Sequence, residues 1–493
     1  MRSLVVVVTL LALPPTIHAQ SLVPPGPDST VAVPLEQQIQ TLRAEISRLT
    51  AATEPPARTH DVDDLARLGA ELQELDQRVR IALRNLEIER EQAAAVSAAQ
   101  PRVTAGRDGF SLQSADGNFR MRFRGYVHAD GRFYPDDSTL ITPSTFVLRR
   151  VRPVFDATVF RTFDFRIMPD FGGGTTVLQD AYIDARFKPV LKIRAGKFKS
   201  PFGLERLVSA VDLTFIERGA PTLLAPNRDL GVMVHGEAFG ARVAYQAALM
   251  NGVVDGGSAD IDDRKGKDVI LRVFAEPFKR NAQSPLKGLG IGVATSFGDE
   301  IGSGTVTGLP TFRTAGNQTF FRYRTDTTPA GTAFANGDRL RASAQGYWYY
   351  RSFGVLAELT ASRQDVSLGT ALQSLTNTAS IVSGSFFLTG EAAAYGTVMP
   401  RRELGATRGA WGALEVTGRF TRLAVDDDAF PIFANPALSA GTANEWAAGV
   451  NWYLNRFIKY SLSFHDTRFD GGAPNGGDRR TEHDLLIRVQ FAF

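Results

Sequence analysis

The sequence predicts an all-β fold: a sixteen-stranded antiparallel transmembrane β-barrel preceded by an N-terminal α-helical coiled coil. Three observations predict it. Apolar residues recur in a 4-3-4-3 rhythm from Leu35 to Leu86, then in alternation from about residue 108 onward. The alternating segments run about 9 to 13 residues, long enough to cross a bilayer at a tilt, and their connections alternate short and long. The chain ends with Leu485, Ile487, Val489, Phe491 and Phe493 in phase on one face.

Composition removes competing classes. Among 493 residues there is no cysteine, which excludes disulfides, thiolate metal sites and cysteine nucleophiles. Fifty-five basic against 52 acidic residues give a net charge of +3, which nominates no nucleic-acid partner. No apolar run reaches the ~18 residues of a membrane helix. That observation leaves a barrel open, because lipid-facing and lumen-facing residues cancel in a hydropathy average.

The N-terminus reads as export machinery. Arg2, the apolar run Leu4 to Leu13 and Ala19 before Gln20 describe a signal peptide over 1–19. A Pro-rich linker follows over 20–34 and a coiled-coil segment over 35–96, interrupted at Pro55-Pro56. Its first seam is Leu35, Ile39, Leu42, Ile46 and Leu49; its second is Leu65, Leu68, Leu72, Leu75, Val79, Ala82 and Leu86. So narrow a stripe suits partner helices, or one helix lying on its own domain. Residues 97–107 read as a linker and 108–493 as the barrel.

Strands are expected near 118–132, 146–160, 163–171, 177–187, 190–197, 230–239, 241–250, 268–276, 288–297, 339–350, 353–363, 381–391, 409–420, 445–454, 457–469 and 482–493. An even number puts both barrel ends on one side, the periplasmic one, with the coiled coil. Tyr347, Trp348, Tyr349, Tyr350, Trp411, Trp446, Trp452 and Tyr453 read as interfacial girdles. The aromatic C-terminal strand resembles the signal by which outer-membrane proteins are recognised for insertion. Sixteen strands leave an aqueous lumen.

If the apolar set faces lipid, parity turns Arg120, Arg122, Arg124, Arg150, Arg152, Arg166, Arg186, Lys192 and Arg194 inward. Arg120, Arg122 and Arg124 then form a column with steps of about 7 Å, able to pass an anion along. The alternative is that Asp130, Asp156, Asp164, Asp180 and Asp184 neutralise these cations. The segment 198–228 reads as a loop folded into the bore. Around it Lys197, Lys199, Arg206, Arg218 and Arg228 oppose Glu205, Asp212 and Glu217. A field concentrated in such a constriction selects ions.

Hydrolytic chemistry is not expected. His128, His235, His465 and His483 fall on separate strands and no Gly-x-Ser-x-Gly elbow occurs. Asp426 to Asp428, and Asp260 with Asp262 and Asp263, read as solvated acidic turns rather than calcium sites. No metal or cofactor is expected.

Gly196-Lys-Phe-Lys-Ser-Pro-Phe-Gly203, Pro226-Asn-Arg-Asp-Leu-Gly231, Phe387-Leu-Thr-Gly-Glu391 and Trp411-Gly-Ala-Leu-Glu415, with Phe146-Val-Leu-Arg149-Arg150-Val-Arg152, resemble the phosphate-selective porin O and P family over about residues 108–493. The resemblance implies a sixteen-stranded homotrimeric porin of the Gram-negative outer membrane, surrounded by its lipid. It also implies channel arginines and a lysine cluster conducting phosphate or polyphosphate, here at Arg149 or Arg150, Lys197, Lys199 and Arg228. The expected function is passive diffusion of small anions, inorganic phosphate among them. The pore-lining set is Arg120, Arg122, Arg124, Arg149, Arg150, Arg152, Lys197, Lys199, Arg206, Arg218 and Arg228. A general, cation-selective or sugar porin is the alternative, as is an envelope tether whose coiled coil binds peptidoglycan.

Overall fold

In the computed structural model the described residues are 40–41, 44–48, 51, 62–106, 109–135, 143–261, 266–326, 328–406 and 408–493. The expected signal peptide, the Pro-rich linker and the Pro55-Pro56 break lie outside them, as does most of the first helical seam. The chain divides into two compact units, residues 1–99 and 100–493.

The first unit contributes helix α1 (Val62–Ala99), 38 residues and so about 57 Å long. Leu75 is buried and Leu68, Leu72, Val79, Ala82 and Leu86 are half-buried, whereas nearly all other described positions are exposed. The seam is therefore a real stripe. Outside it, Arg78 pairs with Glu74 and Arg80 with Asp76, one turn apart. The helix runs to Ala99, into the expected linker.

The second unit is a barrel. It comprises β1 (Arg102–Gly106), β2 (Gly109–Gln113), β3 (Phe119–Phe133), β4 (Thr145–Val159), β5 (Phe163–Asp170), β6 (Val177–Lys188), β7 (Leu191–Lys199), β8 (Arg228–Ala238), β9 (Val243–Met250), β10 (Asp268–Ala275), β11 (Gly288–Ile301), β12 (Thr311–Arg313), β13 (Thr319–Arg322), β14 (Phe334–Tyr350), β15 (Phe353–Leu368), β16 (Ala371–Phe387), β17 (Ala413–Ala424), β18 (Ala440–Tyr453), β19 (Ile458–Gly471) and β20 (Glu482–Ala492). Strands β3 to β11 and β14 to β20 are antiparallel neighbours in turn, and β20 closes on β3 from Leu485↔Phe133 to Ala492↔Tyr126. These are the sixteen strands expected. Closure leaves no open edge, so the backbone is satisfied in lipid.

At the seam of closure β3 changes partner. Its first residues pair with β2, Phe110↔Phe123 to Gln113↔Arg120, before β20 takes over. Phe493 bridges the change: its amide and carbonyl bond those of Gly125, and its ring meets Phe110, Phe123 and Phe491. The β1–β2 hairpin stands where a linker to residue 107 is expected.

The barrel is inside out relative to a soluble domain. Phe155, Ile167, Ile183, Val232, Leu249, Val293, Leu359, Val382, Leu462 and Ile487 are exposed on the outer face. The inner face buries Asp184, Arg341, Glu358, Arg419, Glu445, Lys459, Asp484 and Arg488. That distribution is what a bilayer outside and water inside require. Trp411 and Trp446 are strongly exposed and Trp348 stacks on Tyr350, as girdle residues would. Tyr347, Tyr349 and Tyr453 do not join them. Alternation turns Tyr347 inward onto Phe274 and Tyr395, and the Tyr453 hydroxyl donates to Glu415.

Two connections differ from expectation. Residues 364–380 are not a loop: β15 and β16 continue to a turn at Gly369-Thr370, with Leu368 paired to Ala371 and Gly369 in the left-handed region (φ 57°). The described residues of 388–412, on the short-turn side, form no strand, and the segment enters the barrel mouth. The Tyr395 hydroxyl donates to the Leu204 carbonyl at 2.7 Å.

Candidate functional site

Connection 200–227 crosses the lumen. Glu358 on β15 accepts the amides of Leu204 and Glu205 at 2.9 and 3.0 Å, where Gly203 (φ 78°) turns the chain towards the wall. Lys459 on β19 donates to the carbonyls of Val211 and Leu213, and Asn451 on β18 to that of Thr214. Arg488 on β20 donates to the Ile216 carbonyl and Arg419 on β17 to that of Glu217, at 2.8 and 2.7 Å. On the other wall Phe198 and Phe202 pack with Met233, Met250 and Ile270. Buried backbone carbonyls need donors, and the lumen wall supplies long cations for them.

Beside the loop lies a cavity of 830 Å³. Its lining carries nine cationic side chains, Arg132, Arg149, Arg150, Arg152, Lys199, Arg206, Arg218, Arg228 and Arg313, against Glu217, Asp255 and Glu445. A second cavity of 330 Å³ shares Lys199 and Arg228 with it and adds Arg124, Arg166 and Arg194.

Four of these cations form no ion pair among the described residues: Arg313, which bonds Asn317, and Lys199, Arg206 and Arg218. Lys199 donates to the carbonyls of Leu207 and Val208, Arg206 to that of Thr222, and Arg218 to those of Glu205 and Val208. Among the described residues none of these last three has a carboxylate within ion-pair distance. Burial, reinforced by the like charges of Arg218 and Arg228 and only partly opposed by Glu205 and Glu358, pushes the Arg206 guanidinium below its ordinary range; burial and Arg228 act likewise on Arg218 against the attraction of Glu205 and Glu217. Arginine keeps its proton regardless, so both guanidiniums stay charged where burial makes a charge costly, a cost that an anion beside them would offset.

The remaining expected residues sort by partner. Arg228 pairs with Asp180 and Arg152 with Asp170, each at 2.7 Å. Arg149 and Arg150 both line the larger cavity, although alternation admits only one of two neighbours. A β-bulge explains it: His128 pairs with Arg150 and Ala129 with Leu148, so Arg149 has no partner and the strand changes phase. Both guanidiniums, with Arg132 and Arg488, reach Glu217. Burial alone would raise the Glu217 pKa, but Arg149, Arg150 and Arg488 hold its carboxyl well below the usual range.

The expected arginine column is largely engaged by carboxylates. Arg122 and Arg124 share Asp156 with Arg166, and Arg120 is exposed near the start of β3, lining neither cavity. Arg186 pairs with Asp164, and Arg194 with Asp184. Lys197 is buried against Asp260 and lines neither cavity. Two cavity cations lie outside the expected set: Arg132, in phase with Arg124 on β3, and Arg313, carried in by the β12–β13 hairpin.

The family Phosphate-selective porin O and P matches residues 119–493. The chain belongs to that family. It is 25% identical over 438 residues to Porin O of Pseudomonas aeruginosa, covering 79% of this chain and 92% of that protein. Among solved structures it is similar to the outer membrane channel DcaP of Acinetobacter baumannii, at 10% identity and a TM-score of 0.51 over 79% of this chain and all of that one. An anion-selective porin from Comamonas acidovorans superposes at 9% identity and a TM-score of 0.48, over 76% of this chain and all of that one. The protein is an outer-membrane porin: a channel, not an enzyme.

Proposed function

We propose that this porin passes small anions by diffusion, with inorganic phosphate or polyphosphate among them. The observation that carries the reading is the charge state of the larger cavity. Arg206 and Arg218, like Lys199, spend their hydrogen bonds on backbone carbonyls, which leaves two guanidinium charges without an ion-pair partner where the bore is constricted. A permeating anion restores neutrality there, and a cation meets repulsion. Guanidinium forks at Arg149 and Arg150 suit an oxyanion with two acceptor oxygens. The name of the matching family supports phosphate as one such anion. The assembly is read as a homotrimer in outer-membrane lipid.

The test is a reversal potential in a chloride gradient across a planar bilayer, followed by phosphate titration of the chloride current. Anion preference with block by phosphate is expected. Cation preference overturns the reading, and anion preference without block reduces it to a general anion porin. Neutralising Lys199 together with Arg206 is expected to weaken both effects.

A further inference from the structure

Glu217 is the carboxylate that connection 200–227 carries into the larger cavity. Its Oε1 lies 2.7 Å from Arg149 Nε, 3.4 Å from Arg132 and 3.8 Å from Arg488; its Oε2 lies 3.4 Å from Arg149 Nη2 and 3.9 Å from Arg150. Four guanidiniums from three strands thus surround two oxygens of one anion. That is how a protein holds a phosphate or carboxylate ligand.

The side chain is not what holds the loop in place. The Ile216 and Glu217 carbonyls accept from Arg488 and Arg419, and the Gly219 amide donates to Glu205 at 2.7 Å. None of these backbone contacts uses the Glu217 carboxylate.

We propose that Glu217 is a tethered competitor for permeating oxyanions, and so a specificity-determining residue of the channel. Its carboxylate occupies the oxyanion position of the arginine cluster, and a phosphate-class anion takes that position by displacing it. The proposal rests on the anion-conducting reading. Conduction requires binding strong enough to enter and weak enough to leave. A carboxylate on a short tether competes at an effective concentration of about millimolar or above. It therefore shortens the stay of any one anion and favours dianionic oxyanions, which outbid a single charge, over chloride, which does not.

The experiment compares wild type, Glu217→Gln and Asp255→Asn in planar bilayers, reading half-blocking phosphate concentration and reversal potential. Asp255 also lines the cavity but pairs with Arg341, so its variant controls for charge removal in general. Losing a charge-assisted competitor is worth about tenfold or more. Glu217→Gln is accordingly expected to lower the half-blocking concentration about tenfold, and Asp255→Asn to lower it less than twofold. Equal block of wild type and Glu217→Gln in an anion-selective channel overturns the proposal and leaves the anion reading intact. An equal effect of Asp255→Asn overturns it as well, since a bulk field then suffices. A cation-selective wild type removes the parent reading instead. Should Glu217→Gln fail to assemble, Glu217→Asp keeps the charge but withdraws it by one methylene. A smaller drop in the same direction then supports the proposal, and no drop overturns it.

Discussion

The Tyr395 hydroxyl and the Leu204 carbonyl join two segments that enter the barrel from opposite ends. Tyr395 belongs to 388–412, which follows β16 on the short-turn side, and Leu204 to the connection across the lumen. The Tyr395 ring also stacks on Tyr347 at 4.9 Å, and both pack on a cluster of Leu204, Phe274, Leu356 and Ile381. The constriction is therefore built from both sides of the membrane.

Tyr395→Phe is expected to loosen that junction. One buried hydrogen bond is worth about 1 kcal/mol, so the undocked population rises about fivefold. Tyr395→Ala, which also removes the stack, goes further. Single-channel recordings check this: open-channel noise and conductance rise in the order wild type, Tyr395→Phe, Tyr395→Ala. Indistinguishable traces from Tyr395→Ala and wild type would mean that 388–412 does not bound the current path.

The partners found for the cations predict which substitutions alter selectivity. Arg206→Gln removes an uncompensated charge from the cavity, and a unit charge a few ångströms from the ion path in water is worth about 1 kcal/mol. The chloride-to-potassium permeability ratio is expected to fall about fivefold. Arg120→Gln and Lys197→Gln act on an exposed residue and on a pair with Asp260, so both are expected to leave the ratio unchanged. A ratio that falls equally in all three would show that net charge matters and position does not.

That sorting marks where sequence reasoning stops. Alternation of Phe119, Met121 and Phe123 with Arg120, Arg122 and Arg124 gives the strand and its polar face correctly. It says nothing of how far along the face the lumen cavity extends, nor that Asp156 collects Arg122, Arg124 and Arg166. A bulge at Arg149 changes phase by one residue and leaves no compositional trace. Lys197 and Lys199 sit two apart in one motif, yet one meets an aspartate from 251–267 and the other meets only carbonyls. Such partners come from chain segments dozens of residues away. The polar residues of 364–380 do not alternate in hydrophobicity, so period two is silent where β15 and β16 extend furthest. Strand number and the crossing loop were legible because lipid imposes apolarity on every second outer residue and the loop is too charged and too apolar to float free.

Acidification should increase anion preference through Asp212. Burial raises its carboxyl pKa above the ordinary value, while Thr397, Lys459 and Lys199 oppose the rise without cancelling it. A raised carboxyl gains its proton at a higher pH than a solvated aspartate does. On lowering pH from neutral, Asp212 therefore loses its negative charge before a solvated aspartate would, while Glu217 stays ionised. The chloride-to-potassium ratio is expected to climb as pH is lowered from neutral. Asp212→Asn should start at a higher ratio and climb less. Chloride is the reporter because phosphate changes its own charge in this range. A wild-type ratio constant across it would assign Asp212 no part in selectivity.

The stripe on α1 predicts self-association through one face. Leu68, Leu72, Leu75, Val79, Ala82 and Leu86 are the least exposed of its described side chains and follow a seven-residue repeat, as the buried seam of a coiled coil does. In a parallel bundle each seam residue lies beside its own copy, so a cysteine there is within reach of another across the axis. The chain contains no cysteine of its own, which makes the background silent. Leu75→Cys, oxidised in purified protein before denaturation, is expected to yield covalent dimers, with the third chain of a trimer left free. Arg80→Cys, on the exposed face where Arg80 pairs with Asp76, is expected to yield monomer. Equal crosslinking of both would reflect random collision, and crosslinking of neither would leave α1 lying alone. Deleting 62–99 separates the helix from the pore: if α1 serves assembly, the oligomer weakens on heating in detergent while the single-channel conductance of inserted barrels is unchanged. A conductance that falls with the deletion would instead make α1 part of the ion path.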